Sequence, residues 1–135
     1  MENMKKRSRF LVMILAFSLI CVACSGTDNS NTITYEQISQ DEAKALMESE
    51  IDYIIIDART QSEYDEGHIP GAILIPEYEI VTRAENELPN KNQLILVYCR
   101  SGRRSKIAAE ELVKLGYTNV KEFGGIIDWK YDIVK

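Results

Sequence analysis

The chain has 135 residues and a formal net charge of −5 at neutral pH, with 45% hydrophobic and 27% charged residues. That length suits one compact domain, and the composition is globular rather than disordered or fibrous. The acidic balance argues against nucleic acid as a general partner. The first segment stands apart from a fold: Lys5, Lys6, Arg7 and Arg9 precede the apolar run Phe10 to Ala23. That run is shorter than the ~20 apolar residues of a membrane-crossing helix. A basic head, a short apolar middle and small residues near the end describe a secretory signal peptide over residues 1–23. The alternative is an uncleaved N-terminal anchor helix.

The segment ends Cys21-Val22-Ala23-Cys24-Ser25-Gly26. This resembles the lipobox of bacterial lipoproteins, with Ala23 at the cleavage position and Cys21 where leucine is usual. The resemblance implies lipidation of Cys24, attachment to a bacterial membrane and an extracytoplasmic location. Residues 24–32 then form a lipidated cysteine and a polar, flexible tether, and residues 33–135 form the domain. With Cys21 removed and Cys24 lipidated, Cys99 is left as a free thiol, either reactive or inert and buried.

From Ile33 the predicted elements follow in order. Ile33 to Ile38 reads as a short strand or an entry turn. Ser39 and Glu42 make a capping-box start for a helix over residues 41–49, with Ala43, Leu46 and Met47 on one face. Asp52 to Asp57 is an apolar run between acids, typical of a strand buried on both faces. Thr60 to Gly67 is polar and ends at a glycine. Ala72 to Pro76 is a second short apolar strand. Glu77 to Glu87 is expected to be helical with Ile80, Val81 and Ala84 inward, stopped at Leu88-Pro89. Leu94 to Tyr98 is a third buried strand. Arg104 to Leu115 is the strongest helix, with Ile107, Ala108, Leu112 and Leu115 on one face and Gly116 as its stop. Asn119 to Phe123 is a strand, Gly124-Gly125 a turn and Ile126 to Ile133 a final short helix. Strands alternating with helices predict an α/β fold with a mostly parallel central sheet and helices on both faces. Ligands in such sheets sit where strand C-termini meet helix N-termini.

Cys99 lies at such a junction, and Arg100, Arg103 and Arg104 fall within five residues of it. A thiol attacks as its thiolate, whose ordinary pKa is roughly 8.5, lowered to roughly 3.5–7.5 beside cations and helix N-termini. A loop curling around the sulfur would turn its amides inward and add the positive end of the following helix. Gly102 permits the tight turn, and Ser101 and Ser105 offer hydroxyl donors. The expected result is an anion cradle over a nucleophile; the alternative is a structural cysteine flanked by solvated arginines.

The loop Cys99-Arg100-Ser101-Gly102-Arg103-Arg104-Ser105 resembles the active-site loop of single-domain rhodaneses, a family of sulfurtransferases. Asp57-Ala58-Arg59 through Glu63, followed by Glu66-Gly67-His68-Ile69-Pro70-Gly71-Ala72, is similar to the family's first signature. Val120 to Trp129 is similar to its C-terminal signature. The likeness runs from about Ile33 to Ile133. It implies the three-layer rhodanese-like fold and a two-step relay, in which Cys99 takes a sulfane sulfur from a donor such as thiosulfate and passes it to cyanide or a thiol. It further implies that residues 100–105 bind the donor and that Asp57 and Arg59 line or brace the rim, although a surface ion pair, or a pairing of Arg59 with Glu63, accounts for them as well. A phosphatase or arsenate reductase of this fold carries a loop one residue longer, and position 105 is serine where a tyrosine phosphatase has arginine. A non-catalytic rhodanese-like binding module is the remaining rival. No cofactor is implied. With His68 the single histidine, no metal-ligand set is expected, and His68 is read as structural, as are Phe123 and Trp129. A monomer is expected.

Overall fold

The computed structural model describes residues 34–49 and 52–135. The residues read as a signal peptide, Cys24 and the residues read as a tether lie outside the described residues. Five strands form one parallel sheet: β1 (Glu36–Gln37), β2 (Tyr53–Asp57), β3 (Ala72–Leu74), β4 (Leu94–Cys99) and β5 (Val120–Gly125), in the order β1-β5-β4-β2-β3. Four helices lie between them: α1 (Gln40–Ser49), α2 (Gln61–Glu66), α3 (Ile80–Glu87) and α4 (Arg103–Lys114). Single 3₁₀ turns cover Glu77–Glu79 and Ile126–Asp128.

The central strand β4 shows why the apolar runs are continuous. All six of its residues are buried, and they alternate between two cores. Ile95, Val97 and Cys99 face one side with Ile80, Ala84 and Leu88 of the α3 region and Ala108, Ala109 and Leu112 of α4. Leu94, Leu96 and Tyr98 face the other, where Ala43, Leu46 and Met47 of α1, Tyr64 of α2 and Phe123 pack. A strand covered on both faces has no solvent side, so it carries no polar alternation. This is the expected α/β arrangement with helices on both sides of the sheet, here with every strand parallel.

Three local expectations are corrected, and one stretch given no element in the sequence acquires one. The polar stretch after Thr60 is a helix: the Thr60 hydroxyl accepts from the Glu63 N–H, while the Glu63 carboxylate accepts from the Thr60 N–H. This capping box starts α2 without an apolar face to announce it. Along α3 the inward row is Ile80, Ala84 and Leu88, while Val81 is 55% exposed. Residues four apart share a helix face, whereas Val81 lies a further ~100° round from Ile80. Gly124 and Gly125 are not a turn after β5 but its last residues. The final helix is one 3₁₀ turn, after which the chain pairs back, with the backbones of His68 and Val134 exchanging two hydrogen bonds. That pairing draws the residues after Asp128 out of helical geometry.

The end of β5 positions the loop after β4. Val97 pairs with Glu122 but Cys99 with Gly125, so β5 spends one extra residue against β4. Such a bulge bends and twists the strand locally. Gly124 at the bulge has φ +87, a conformation other residues rarely adopt. At Gly125 the constraint is space: a Cβ there would lie 2.0 Å from the Arg100 carbonyl oxygen and 2.5 Å from the Ser101 Cα. Only hydrogen fits between β5 and the loop that carries Cys99. Replacing Gly125 by alanine is expected to displace that loop and cost roughly 1–3 kcal/mol of stability, read as a lowered midpoint in chemical denaturation.

Candidate active site

Cys99 is the last residue of β4, at the C-terminal edge of the sheet, and is 1% exposed. Its side chain points to the α3/α4 side. The chain turns at Gly102, whose φ of +99 caps the start of α4. The Gly102 N–H donates to Sγ at 3.0 Å. Burial pushes the Cys99 thiol up; the Ser105 hydroxyl and the amides of Ser105, Gly102 and Ser101 outweigh it and bring the thiol below its ordinary value. The expected contribution of the loop amides is present. The arginines stand further back.

Arg104 is forked onto Glu63, with Nη1 to Oε2 at 2.7 Å and Nη2 to Oε1 at 2.8 Å. A fork of this kind is the strong form of an arginine–carboxylate pair. It fastens α4 to α2 through the carboxylate that also completes the Thr60 capping box. The Arg104 charge still favours an anion at Cys99, since the two interact electrostatically. Arg100 and Arg103 are exposed and enter no ion pair among the described residues. Arg100 meets the rest of the site by its backbone, its carbonyl accepting from the Ile127 N–H at 3.3 Å. Ser101 is exposed, while Gly102 and Ser105 are buried.

Asp57 and Arg59 do not form a surface pair, and Glu63 is not the partner of Arg59. Asp57 is fully buried and Arg59 is 5% exposed. Arg59 Nε donates to Asp57 Oδ1 at 2.9 Å and Nη2 to Oδ2 at 2.7 Å, with Nη2 also reaching the Gly67 carbonyl at 2.7 Å. The Tyr98 hydroxyl donates to Asp57 Oδ2 at 2.6 Å and accepts from the Ile69 N–H at 3.1 Å. Burial, then the Asp57 charge, pushes the Tyr98 phenol well up, so it remains a donor. This cluster joins the end of β2 to the residue before Cys99 and to the 67–69 turn, as a brace on the opposite face from the sulfur. His68 belongs to the same turn: its ring stacks on Tyr64 at 3.7 Å and its Nδ1 lies 3.0 Å from the Tyr64 carbonyl. Phe123 is buried, and Trp129 packs against it.

Two features of the site escaped the reading of the sequence. The Thr60–Glu63 spacing is a capping-box signal, but nothing local shows that Glu63 reaches Arg104, 41 positions on. Glu122 is 3% exposed, and its Oε1 accepts from Ser105 Oγ at 2.6 Å and from the Gly124 N–H at 2.8 Å. In the sequence it is one acid in a polar-looking strand, Asn119 to Phe123.

Residues 39–132 match the family of the rhodanese-like domain. The chain is 42% identical over 73 residues to the thiosulfate sulfurtransferase PspE of Escherichia coli (strain K12), covering 54% of this chain and 70% of that protein. It is 39% identical over 100 residues to a sulfurtransferase of Allochromatium vinosum, covering 73% and 87%. A solved structure described as a rhodanese with anions from E. coli superposes with a TM-score of 0.58 at 40% identity, covering 62% of this chain and 98% of that one.

The Arg104–Glu63 fork makes acid stability a measure of the site. The Arg104 hydrogen bonds, helped by Thr60 and opposed by burial, hold the Glu63 carboxyl down at about 2 against an ordinary 4.5. A depressed carboxyl contributes stability that is fully present above its unfolded value and lost as pH falls through the folded one. The stability gap between wild type and Glu63→Gln is therefore expected to be constant above pH 4.5 and to narrow steadily from there to about pH 2, as followed by thermal melts across that range.

Proposed function

The chain belongs to the rhodanese-like domain family, and we propose that it moves a sulfane sulfur from an anionic donor such as thiosulfate to cyanide or a thiol through a persulfide on Cys99. The observation that carries this reading is Sγ at the end of β4 with the Gly102 N–H on it at 3.0 Å and the thiol brought below its ordinary value. A lowered thiol supplies the attacking anion without a general base.

In the first step the Cys99 thiolate attacks the outer sulfur of the donor. A new S–S bond forms, the donor's S–S bond breaks, and sulfite leaves with the electron pair. The persulfide's terminal sulfur then extends from Sγ beside the loop whose amides already act on Cys99. In the second step a thiolate or cyanide attacks that terminal sulfur, the persulfide bond breaks, and its electron pair restores the Cys99 thiolate. Preorganised amides suit both steps, because they are already aimed at the charge that develops. Arg100 and Arg103, exposed and unpaired among the described residues, draw the anionic donor to the loop. Arg104 lends its charge while two of its amino groups stay on Glu63. Asp57 and Arg59 act from behind, holding Tyr98 and so the end of β4.

Residues 25–135 are expected to release thiocyanate from thiosulfate and cyanide, and Cys99→Ser to lose that activity to the level of the uncatalysed reaction. Donor treatment is expected to add about 32 Da at Cys99, the mass of one sulfur, removed again by cyanide. Equal rates in the two proteins, with no mass gain from any sulfane donor, would make the domain a binding module.

We also propose that residues 1–23 are a lipoprotein signal peptide and that a lipid on Cys24 attaches the domain to the outside of a bacterial membrane. The basic head, the short apolar run and the Ala23-Cys24-Ser25-Gly26 junction support this. Metabolic labelling with a fatty acid is expected to mark the wild-type chain and not Cys24→Ser; label that survives the substitution defeats the anchor.

A further inference from the structure

Glu122 is a carboxylate that the sulfur relay does not use. It comes from β5, sits beside the bulge opposite Val97 and is 3% exposed. No lysine or arginine among the described residues forms an ion pair with it. Its neighbour Lys121 pairs with Glu36, and Lys106 and Asp128 line, with Glu122, Ser101 and Gly102, an open cleft beside the loop without forming an ion pair to that carboxylate. Tyr35 faces it electrostatically, as does Glu110 of α4 toward that tyrosine. A buried carboxylate without a cation depends on neutral donors, and these are the Ser105 hydroxyl at 2.6 Å and the Gly124 amide at 2.8 Å.

Ser105 stands between two anions. It belongs to the first turn of α4, is fully buried, and its hydroxyl and amide both favour a Cys99 thiolate. A serine hydroxyl has one proton. At 2.6 Å the Glu122 carboxylate is its acceptor, with the Gly102 carbonyl a more distant alternative at 3.1 Å. The hydroxyl serves the sulfur only when it turns from the carboxylate. We propose that Glu122 is a positioning residue for sulfur transfer: its buried carboxylate holds the Ser105 hydroxyl proton away from the Cys99 sulfur and thereby sets how strongly the loop stabilises the sulfur anion.

The arrangement tempers the nucleophile. A sulfur given every donor in the loop would ionise readily, but it would hold its electrons, and later its persulfide, more tightly. Nucleophilicity falls as the thiol becomes more acidic. The other charges around the sulfur leave this role open: Arg104 is committed to Glu63, Asp57 is committed to Arg59 and Tyr98 on the opposite face, and Arg100 and Arg103 point outward.

The inference rests on Cys99 being the nucleophile, and its test is the pH dependence of Cys99 alkylation by iodoacetamide, which needs no sulfur donor and stays readable if transfer itself fails. Glu122→Gln keeps the shape and removes the charge. Its alkylation inflection is expected to move down by about half to one pH unit relative to wild type. Ser105→Ala is expected to move the inflection up in the Glu122→Gln background, where the hydroxyl is released to the sulfur, and much less in the wild-type background, where the carboxylate holds its proton. In the Ser105→Ala background the Glu122→Gln shift is expected to fall to less than half its size, the coupling expected of residues acting through one hydroxyl. An unchanged inflection in folded Glu122→Gln, or the same shift in both backgrounds, overturns the proposal. If Glu122→Gln does not fold, Glu122→Asp decides: the shorter side chain draws the carboxylate back from the Ser105 hydroxyl, and an inflection that does not move down overturns the proposal.

Discussion

The catalytic end of this domain depends on a contact between two backbones. Gly125 at the end of β5 lies so close to the Arg100 carbonyl and the Ser101 Cα that no side chain fits between them. The one-residue bulge at Phe123-Gly124 brings β5 to that position. The contact presses the loop after Cys99 into a tight arc, which closes at Gly102 and opens directly into α4. Inward-facing amides are a consequence of that arc. Peptide N–H groups set in this way cost no reorganisation when charge arrives, unlike flexible side chains that must be ordered first.

This shifts the account of the arginines. Three cationic side chains beside a thiol suggest a nest of guanidinium groups around sulfur. The structure divides them: one fastens two helices together, and two remain at the surface. Arg104 does structural and electrostatic work together, because the fork that docks α2 also fixes a positive charge at the start of α4. The hydrogen bonds that bring the thiol down come from the loop itself and from Ser105.

The opposite face of β4 holds the frame still. Asp57, Arg59 and Tyr98 form a buried, mutually satisfied polar cluster, and no buried side-chain polar atom among the described residues lacks a partner. A network of this kind stabilises little relative to an apolar replacement but is sharply destabilised by losing one member. Its value lies in position: Tyr98 precedes Cys99, and its hydroxyl is tied to β2 and to the turn at Ile69. The sulfur on one face and the brace on the other follow from the two-residue period of a strand.

The sequence by itself determined the elements whose signals are local. The runs at Asp52 to Asp57 and Leu94 to Tyr98 declared strands buried on both faces, Ser39 and Glu42 declared a helix start, and the stretch after Cys99 declared a tight loop between a strand and a helix. Each of these depends on neighbours a few residues away. Tertiary structure alone decided the partners of the charges and the fate of the glycines. Glu63 and Arg104 meet across 41 positions and Ser105 and Glu122 across 17, because packing of α2 and β5 against α4 sets those distances and no local pattern encodes them. Gly124-Gly125 reads as a turn in isolation, since two glycines permit one. It is a strand end here because the pairing of β5 with β4 supplies hydrogen bonds that outweigh the freedom to turn, and because only glycine leaves room for the loop that holds the sulfur.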